Sequence, residues 1–201
     1  MLKARIAVLV SGGGTNLQAI LDAEKSGIIK SGEVVTVISN NANAYALTRA
    51  ENAGVEGIYI SKKELKTQEA FEAALISALE ERKIDLIVLA GFMSILSGDF
   101  TSRYDHRILN VHPSLIPSFC GQGFYGLKVH EAALEKGVKV TGATVHFVNE
   151  IPDGGEIIAQ KAVEVQDGDT PEVLQKRVME QAEWIILPAS VEKVCATLIR
   201  S

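Results

Sequence analysis

The sequence predicts one α/β domain: a mostly parallel twisted sheet with helices on both faces and an antiparallel C-terminal part. Three observations predict it. From Arg5 to Val111, short β-rich runs alternate with helical periods, the rhythm of strands joined by helical crossovers. After Val138, two strand-like runs are joined by a short link, which suits an antiparallel pair. The chain has 201 residues, 47% of them apolar, enough for one good-sized core.

Each element has a local reason. Arg5–Val10 is an unbroken apolar run and reads as a buried strand. Leu17, Ile20 and Leu21 then line one helix face, Thr15-x-x-Gln18 fits a capping box, and Gly27 is expected to end the helix. Glu33–Ser39 is strand-like. Ala42–Ala53 reads as a helix stopped by Gly54, and Gly57–Ile60 as a short strand. In Glu69–Lys83, Phe71, Leu75 and Leu79 recur every four residues, predicting an amphipathic helix. Leu86–Ala90 and Ile108–Val111 are buried strands. Val138–Phe147 and Ile157–Val165 form the later pair, linked by Asn149–Glu156. Thr170-Pro171-Glu172 opens the last helix with a cap, a proline at its first position and an acid in its first turn. Pro188 is expected to kink or split that helix.

Composition excludes several functions. There are 20 basic and 25 acidic residues, a net charge of −5, which argues against a broad basic footprint for DNA or RNA. Cys120 and Cys195 are far apart, so neither a disulfide framework nor a cysteine zinc site is expected. The longest apolar run, Leu86–Met93, is far short of the ~20 residues that span a bilayer. Ile6–Val10 is too short for a signal segment and runs into glycines. These readings point to a cytoplasmic protein without membrane or nucleic-acid partners.

A parallel sheet binds ligands beyond the carboxyl ends of its strands, so the residues just after each strand matter most. Ser11-Gly12-Gly13-Gly14-Thr15-Asn16 follows the first strand and opens a helix. Glycines let a backbone approach a ligand, and helix N-terminal amides attract anions. The dinucleotide fingerprint fails, because Leu17 replaces its third glycine and Asn40-Asn41 stand where an acid is expected. The Walker lysine is missing too. A phosphate monoester is the better anion; a tight turn with no ligand is the plainer alternative.

Asn110 and His112 sit two apart near a strand end, so their side chains share a face. Histidine moves protons near neutrality, and an asparagine amide can donate to a developing oxyanion. A core histidine beside a strand-terminating asparagine is the alternative. Asp153-Gly154-Gly155 is an ordinary hairpin signal, or a carboxylate that tunes His112 if the fold brings it near. His106, His130 and His146 have no metal-ligand spacing, and His146 is expected to pack on its strand. Ser114 lacks a nucleophile elbow, and nothing nearby marks Cys120 as a nucleophile. Ala90-Gly91-Phe92-Met93 lines either an apolar slot or plain core.

In order along the chain, Val10-Ser-Gly-Gly-Gly-Thr-Asn-Leu-Gln-Ala-Ile20, Leu89-Ala-Gly-Phe-Met93, Leu109-Asn-Val-His-Pro-Ser-Leu-Ile-Pro117 and Asp153-Gly-Gly155 closely resemble the phosphoribosylglycinamide formyltransferases, in the formyltetrahydrofolate transferase superfamily. The resemblance implies the formyltransferase fold over 1–201. Residues 1–100 would mainly bind the ribonucleotide phosphate and 101–201 would mainly carry catalysis and folate binding. It implies formyl transfer from 10-formyltetrahydrofolate to the amine of glycinamide ribonucleotide in purine (IMP) biosynthesis, without a metal. Gly14, Thr15 and Asn16 would hold the phosphate, and Glu183 would stand near the amine. Gln68, Phe92, Met93, Ser94, Ile95, Leu96 and Asn110 would meet the folate. Asn110, His112 and Asp153 match the catalytic trio, and Glu150–Gly155 matches a loop that closes on the pterin.

Some positions depart from the family. Gln68 and Ser94 stand where basic residues are common, Phe119-Cys120-Gly121 replaces a frequent Phe-Pro-Gly, and Ile151-Pro152 is unusual before the aspartate. A formyltetrahydrofolate deformylase is the alternative enzyme, although its usual N-terminal regulatory domain is not expected before a first strand at residue 5. A methionyl-tRNA formyltransferase would need an RNA-binding extension and a basic surface. A nucleotide-binding or sensor module that kept the fold is the non-enzyme alternative. A monomer and a homodimer both remain open.

Overall fold

The computed structural model describes residues 2–200. Its strands are β1 Ala4–Val10, β2 Gly32–Ser39, β3 Glu56–Tyr59, β4 Leu86–Leu89, β5 Ile108–His112, β6 Val140–Phe147 and β7 Ile157–Glu164. They form a single seven-stranded sheet in the order β3-β2-β1-β4-β5-β6-β7. The strands from β3 to β5 in that order are parallel. β6 is antiparallel to β5, and β7 to β6. The helices are α1 Thr15–Lys25, α2 Tyr45–Asn52, α3 Lys62–Leu65, α4 Gln68–Glu81, α5 Gly98–Arg103, α6 Leu127–Lys136, α7 Pro171–Val178 and α8 Trp184–Leu198.

Strand alternation makes two cores. Ala4, Ile6, Val8 and Val10 of β1 face one side, where Leu17 and Ile20 of α1, Ala46 of α2, Leu174 of α7 and Val191 of α8 cover them. Ala7 and Leu9 face the other, under Phe71 and Leu75 of α4 and Phe100 of α5. The expected four-residue stripe is what α4 buries, and Thr67 caps it by accepting from the Ala70 amide at 3.1 Å. Among the described residues no helix is long and apolar enough to cross a membrane.

The chain leaves β1 toward β2 and β3, then returns to lay β4 on β1's other side. Strand order therefore reverses between β1 and β4, and a crevice opens beyond their carboxyl ends.

Several local expectations differ from the structure. The capping box at Thr15 does not form; Gly14 is the N-cap residue, and Gln18 instead bonds Asp22 and Arg49. α2 starts at Tyr45, not 42, because the Asn41 side chain accepts from the Asn43 amide and holds a turn there. α3, α5 and α6 were not anticipated. The first two are too short to show a period, and α6 follows a loop crowded with Gly121, Gly123 and Gly126. The interruption in the last helical stretch is a π turn at Met179–Glu183, and α8 continues through Pro188 without being split there. Proline offers no N–H to the carbonyl four residues back, so that one bond is missing within α8.

Leu75 is fully buried between α4 and the sheet. Leu75→Ala is expected to lower stability by about 3 kcal/mol through lost burial and a residual cavity. Urea titration with unchanged slope checks this; a change under about 1 kcal/mol would mean the site collapses freely.

Candidate active site

β5 and β6 pair in a register that sets Asn110 opposite His146 and His112 opposite Thr144. Leu109 and Val111 point into the first core, so Asn110 and His112 share the opposite face. Directly opposed residues lie side by side, and the Asn110 amide nitrogen is 3.2 Å from His146 Nε2. The Asn149–Glu156 connection then brings Asp153 over both histidines. One carboxylate oxygen is 3.5 Å from His112 Nδ1, and the other is 3.5 Å from His146 Nε2.

Carbonyl contacts orient both rings. His112 Nε2 lies 2.8 Å from the Phe119 carbonyl, and His146 Nδ1 lies 2.7 Å from the Phe147 carbonyl. Carbonyls only accept, so these two nitrogens carry hydrogens. Each imidazole then turns its other nitrogen toward Asp153. The aspartate is itself fixed by the Gly121 amide, which donates at 2.8 Å. Burial works to raise its pKa. The His146 hydrogen bond, the Gly121 amide and the charges of the two histidines outweigh burial and hold it below the ordinary value.

The turn that presents Asp153 leaves no room for larger residues. A Cβ on Gly155 would fall 1.7 Å from the Phe147 carbonyl oxygen, so only glycine fits there. Thr144 braces the facing loop: it donates to the Ser114 carbonyl at 2.7 Å and accepts from the Ile116 amide at 3.1 Å. Ser114 is buried and donates to the Ser118 carbonyl, a structural part. Burial and nearby Asp153 push the Cys120 thiol up, which suppresses its thiolate. Burial, with a contribution from His112, pushes His130 down to about 4, so it is a neutral core residue.

The glycine loop faces the same edge. Gly14 adopts φ +72°, and a Cβ there would lie 2.7 Å from the Ala46 side chain. The Ser11, Gly12 and Gly13 carbonyls accept from Asn41, Ala46 and Arg49 on the β2–α2 side. Among the described residues, the Gly12, Gly13 and Gly14 amides have no acceptor. A Cβ on Gly12 or Gly13 would meet nothing within 4 Å. Packing requires glycine at 14 alone; at 12 and 13 the open space lies outside the protein.

Asn16 reaches across to the π turn, donating to Glu183 at 2.7 Å, and its Oδ1 is buried without a partner among the described residues. Glu183 is only 6% exposed. Burial pushes its carboxyl up to about 6, against the downward pull of the Asn16 bond.

Phe92 packs against the second core, and Leu96 is buried in it. Met93 and Ile95 are 57% and 78% exposed. The Met93 amide donates to Ser11 Oγ at 2.8 Å, and Asn40 donates to Ser94 at 2.8 Å. Gln68 donates to the Ile95 carbonyl at 3.1 Å. A separate cavity of about 670 Å³ lies between α1 and α8, lined by Thr15, Arg49, Trp184 and Pro188 among others. It includes none of the His/Asp/Asn cluster, so side-chain chemistry, not volume, locates the site. Among the described residues no group of three or more His, Cys, Asp or Glu side chains is arranged to hold a metal ion.

Sequence reasoning missed His146 as part of the cluster. It does sit on a strand and pack, as expected, but it also faces Asp153 and Asn110. Its only signal is the β5–β6 register, which pairs residues 36 apart in the chain.

Open amides at a helix start and a His/Asp/Asn cluster at one edge of a mostly parallel sheet make this an α/β protein whose site can meet an anion and move a proton. The chain belongs to the formyl transferase family, whose profile matches residues 4–191. It is 46% identical over 198 residues to the human trifunctional purine biosynthetic protein adenosine-3, a match covering 98% of this chain and 19% of that protein. The chain thus spans about a fifth of that relative's length. It is 42% identical over 188 residues to phosphoribosylglycinamide formyltransferase of Haemophilus influenzae, covering 94% of this chain and 85% of that one. The crystal structure of glycinamide ribonucleotide transformylase 1 from Symbiobacterium toebii superposes with a TM-score of 0.90 at 44% identity, covering 97% of this chain and 89% of that one.

The raised Glu183 value has a testable sign. The folded state holds this proton more tightly than the unfolded chain, so ionisation costs stability as pH rises from the ordinary value of 4.5 through about 6. Glu183→Gln keeps an oxygen for Asn16. It is expected to match or trail the native protein below pH 4.5 and to gain roughly 2 kcal/mol on it by pH 7.5. Denaturant unfolding across that range checks this; a stability difference independent of pH would refute it.

Proposed function

We propose that this chain transfers a formyl group from 10-formyltetrahydrofolate to the amine of 5'-phosphoribosylglycinamide, a step of de novo purine (IMP) biosynthesis. The observation that carries the reading is Asp153 facing two imidazoles, with Asn110 alongside, at the sheet edge that also holds the glycine loop. The names of the Haemophilus influenzae and Symbiobacterium toebii proteins support it.

The ribonucleotide phosphate sits on the open amides of residues 12 to 14 and the start of α1, with Thr15 and Asn16 beside it. Glu183, held by Asn16, faces the glycinamide amine. The formylfolate lies along Met93–Leu96, where exposed Met93 and Ile95 supply apolar surface, with Phe92, Ser94 and Gln68 around them. Residues 1–100 thus mainly hold the phosphate and 101–201 mainly the chemistry, although the folate loop belongs to the first half. No metal takes part. Two free cysteines suit a reducing cytoplasm, and a net charge of −5 suits small-molecule partners better than nucleic acid.

The amine nitrogen attacks the formyl carbon, and the carbonyl electron pair moves onto oxygen. The Asn110 amide donates a hydrogen to that oxyanion. His112 Nε2–H exchanges the Phe119 carbonyl for the same oxygen, while Asp153 orients the ring from the other side. The amine gives up its proton, the folate nitrogen takes one, and the bond from that nitrogen to the formyl carbon breaks. Holding both substrates at one edge makes the attack intramolecular in effect.

Folate absorbance with and without glycinamide ribonucleotide tests the reading. Amine-dependent turnover supports it. Amine-independent release of formate indicates a deformylase, and no turnover indicates a binding module. His112→Asn and Asp153→Asn are expected to lower kcat by roughly a hundredfold or more. Gly13→Ala, whose Cβ meets no protein atom, is expected to leave Tm unchanged and raise the ribonucleotide KM. An unaltered KM would remove the phosphate from this loop.

A further inference from the structure

Glu72 is the buried acid of α4, only 8% exposed, on the face that also buries Phe71 and Leu75. Among the described residues no cation pairs with it. A buried carboxylate without a cation needs strong donors. It has three, from its own helix and from the loop that faces it. The Ser97 amide donates to Oε1 at 2.6 Å, the Ser97 hydroxyl donates to Oε2 at 2.6 Å, and Gln68 Nε2 donates to Oε1 at 2.5 Å.

These donors brace the Met93–Leu96 loop. Ser97 is the first residue after it, and Gln68 also donates to the Ile95 carbonyl within it. Lys62 holds the far end of Gln68, donating to its Oε1 at 2.6 Å. Ser97 Oγ also caps α5 by accepting from the Phe100 amide at 3.2 Å. At its other end the loop is tied to Ser11 through the Met93 amide. Anchors at both ends and at Ile95 fix a loop whose Met93 and Ile95 side chains face solvent. A segment so constrained while exposing large apolar groups is shaped for a ligand, not for its own stability.

We infer that Glu72 is a positioning residue for the formylfolate slot: it touches no substrate, but its three hydrogen bonds set the shape of Met93–Leu96. This rests on the function proposed above. The role also gives a reason for a carboxylate inside an apolar stripe. Leucine would fill the space but leave the Ser97 amide and the Ser97 hydroxyl without an acceptor and take one of two acceptors from Gln68.

The test uses the full chain and has two independent arms. Hydrogen–deuterium exchange of the protein without ligands reads the brace directly, since the Ser97 amide hydrogen is one of its bonds. Glu72→Ala is expected to speed exchange across 93–98 at least tenfold. Steady-state kinetics read its consequence. Glu72→Ala is expected to raise the formylfolate KM by roughly tenfold, the scale of a small misplacement in a binding site, with the ribonucleotide KM within about twofold. Glu72→Gln retains one acceptor oxygen and should recover part of both effects. Ser97→Ala removes the hydroxyl bond but keeps the amide bond, and should give a smaller shift in the same direction if Glu72→Ala folds poorly. Unchanged exchange, an unchanged folate KM, or equal rises in both KM values in the variants that fold would overturn the inference. If the native protein shows no amine-dependent transfer, the function reading fails, and the exchange arm alone then decides whether Glu72 braces the loop.

Discussion

Asp153 is a single carboxylate facing two imidazoles where the sheet changes from parallel to antiparallel, and the site is built around that arrangement. A carboxylate this sheltered is tolerable only if its oxygens are met by donors or positive charge. The Gly121 amide meets one oxygen, and the two histidines complete the surroundings. Each partner is positioned by a different element: His112 by the end of β5, His146 by β6, and Gly121 by the loop between β5 and α6. Removing any one leaves the others facing an unbalanced charge, so the cluster acts as a unit, not as three separate residues.

The second constraint is the reversal of strand order between β1 and β4. It places the glycine loop and the Met93–Leu96 loop side by side, and the Ser11–Met93 bond fixes their separation. One loop offers amides to an anion, and the other offers apolar surface. In the proposed reaction, a substrate with a phosphate and a substrate with a flat apolar body meet at this edge. Entropy lost on binding is then not lost again in the reaction.

Several groups that cost stability lie at this edge. Glu183 carries a carboxyl that burial pushes up to about 6, Asn16 keeps a buried oxygen without a partner among the described residues, and Phe119 and Asp153 adopt positive φ. Bulky or branched residues resist that conformation, and such features persist where the surroundings over-determine them. Away from this edge, the sheet and its two cores follow ordinary rules of alternation and burial.

Much of the fold was legible in the sequence because periodicity and helix signals act locally. The strands, the α4 stripe and the Thr170-Pro171 start are visible within a few residues of themselves. α5 and α6 were not, one being too short for a period and the other masked by a glycine-rich approach. The π turn in place of a break at Pro188 is a compromise with packing that no local rule states. In the site, the sequence by itself determined which chemistry was available: open glycines after β1, an Asn-x-His pair at a strand end, and an Asp-Gly-Gly turn. Only the tertiary structure decided which of these groups meet. His146 joins the cluster through strand register, Asp153 through a turn that only glycine can close, and Glu183 through a helix packed beside α1 on the same face of the sheet. Register and long-range packing couple residues tens of positions apart, and nothing in the neighbouring sequence of either partner records the coupling.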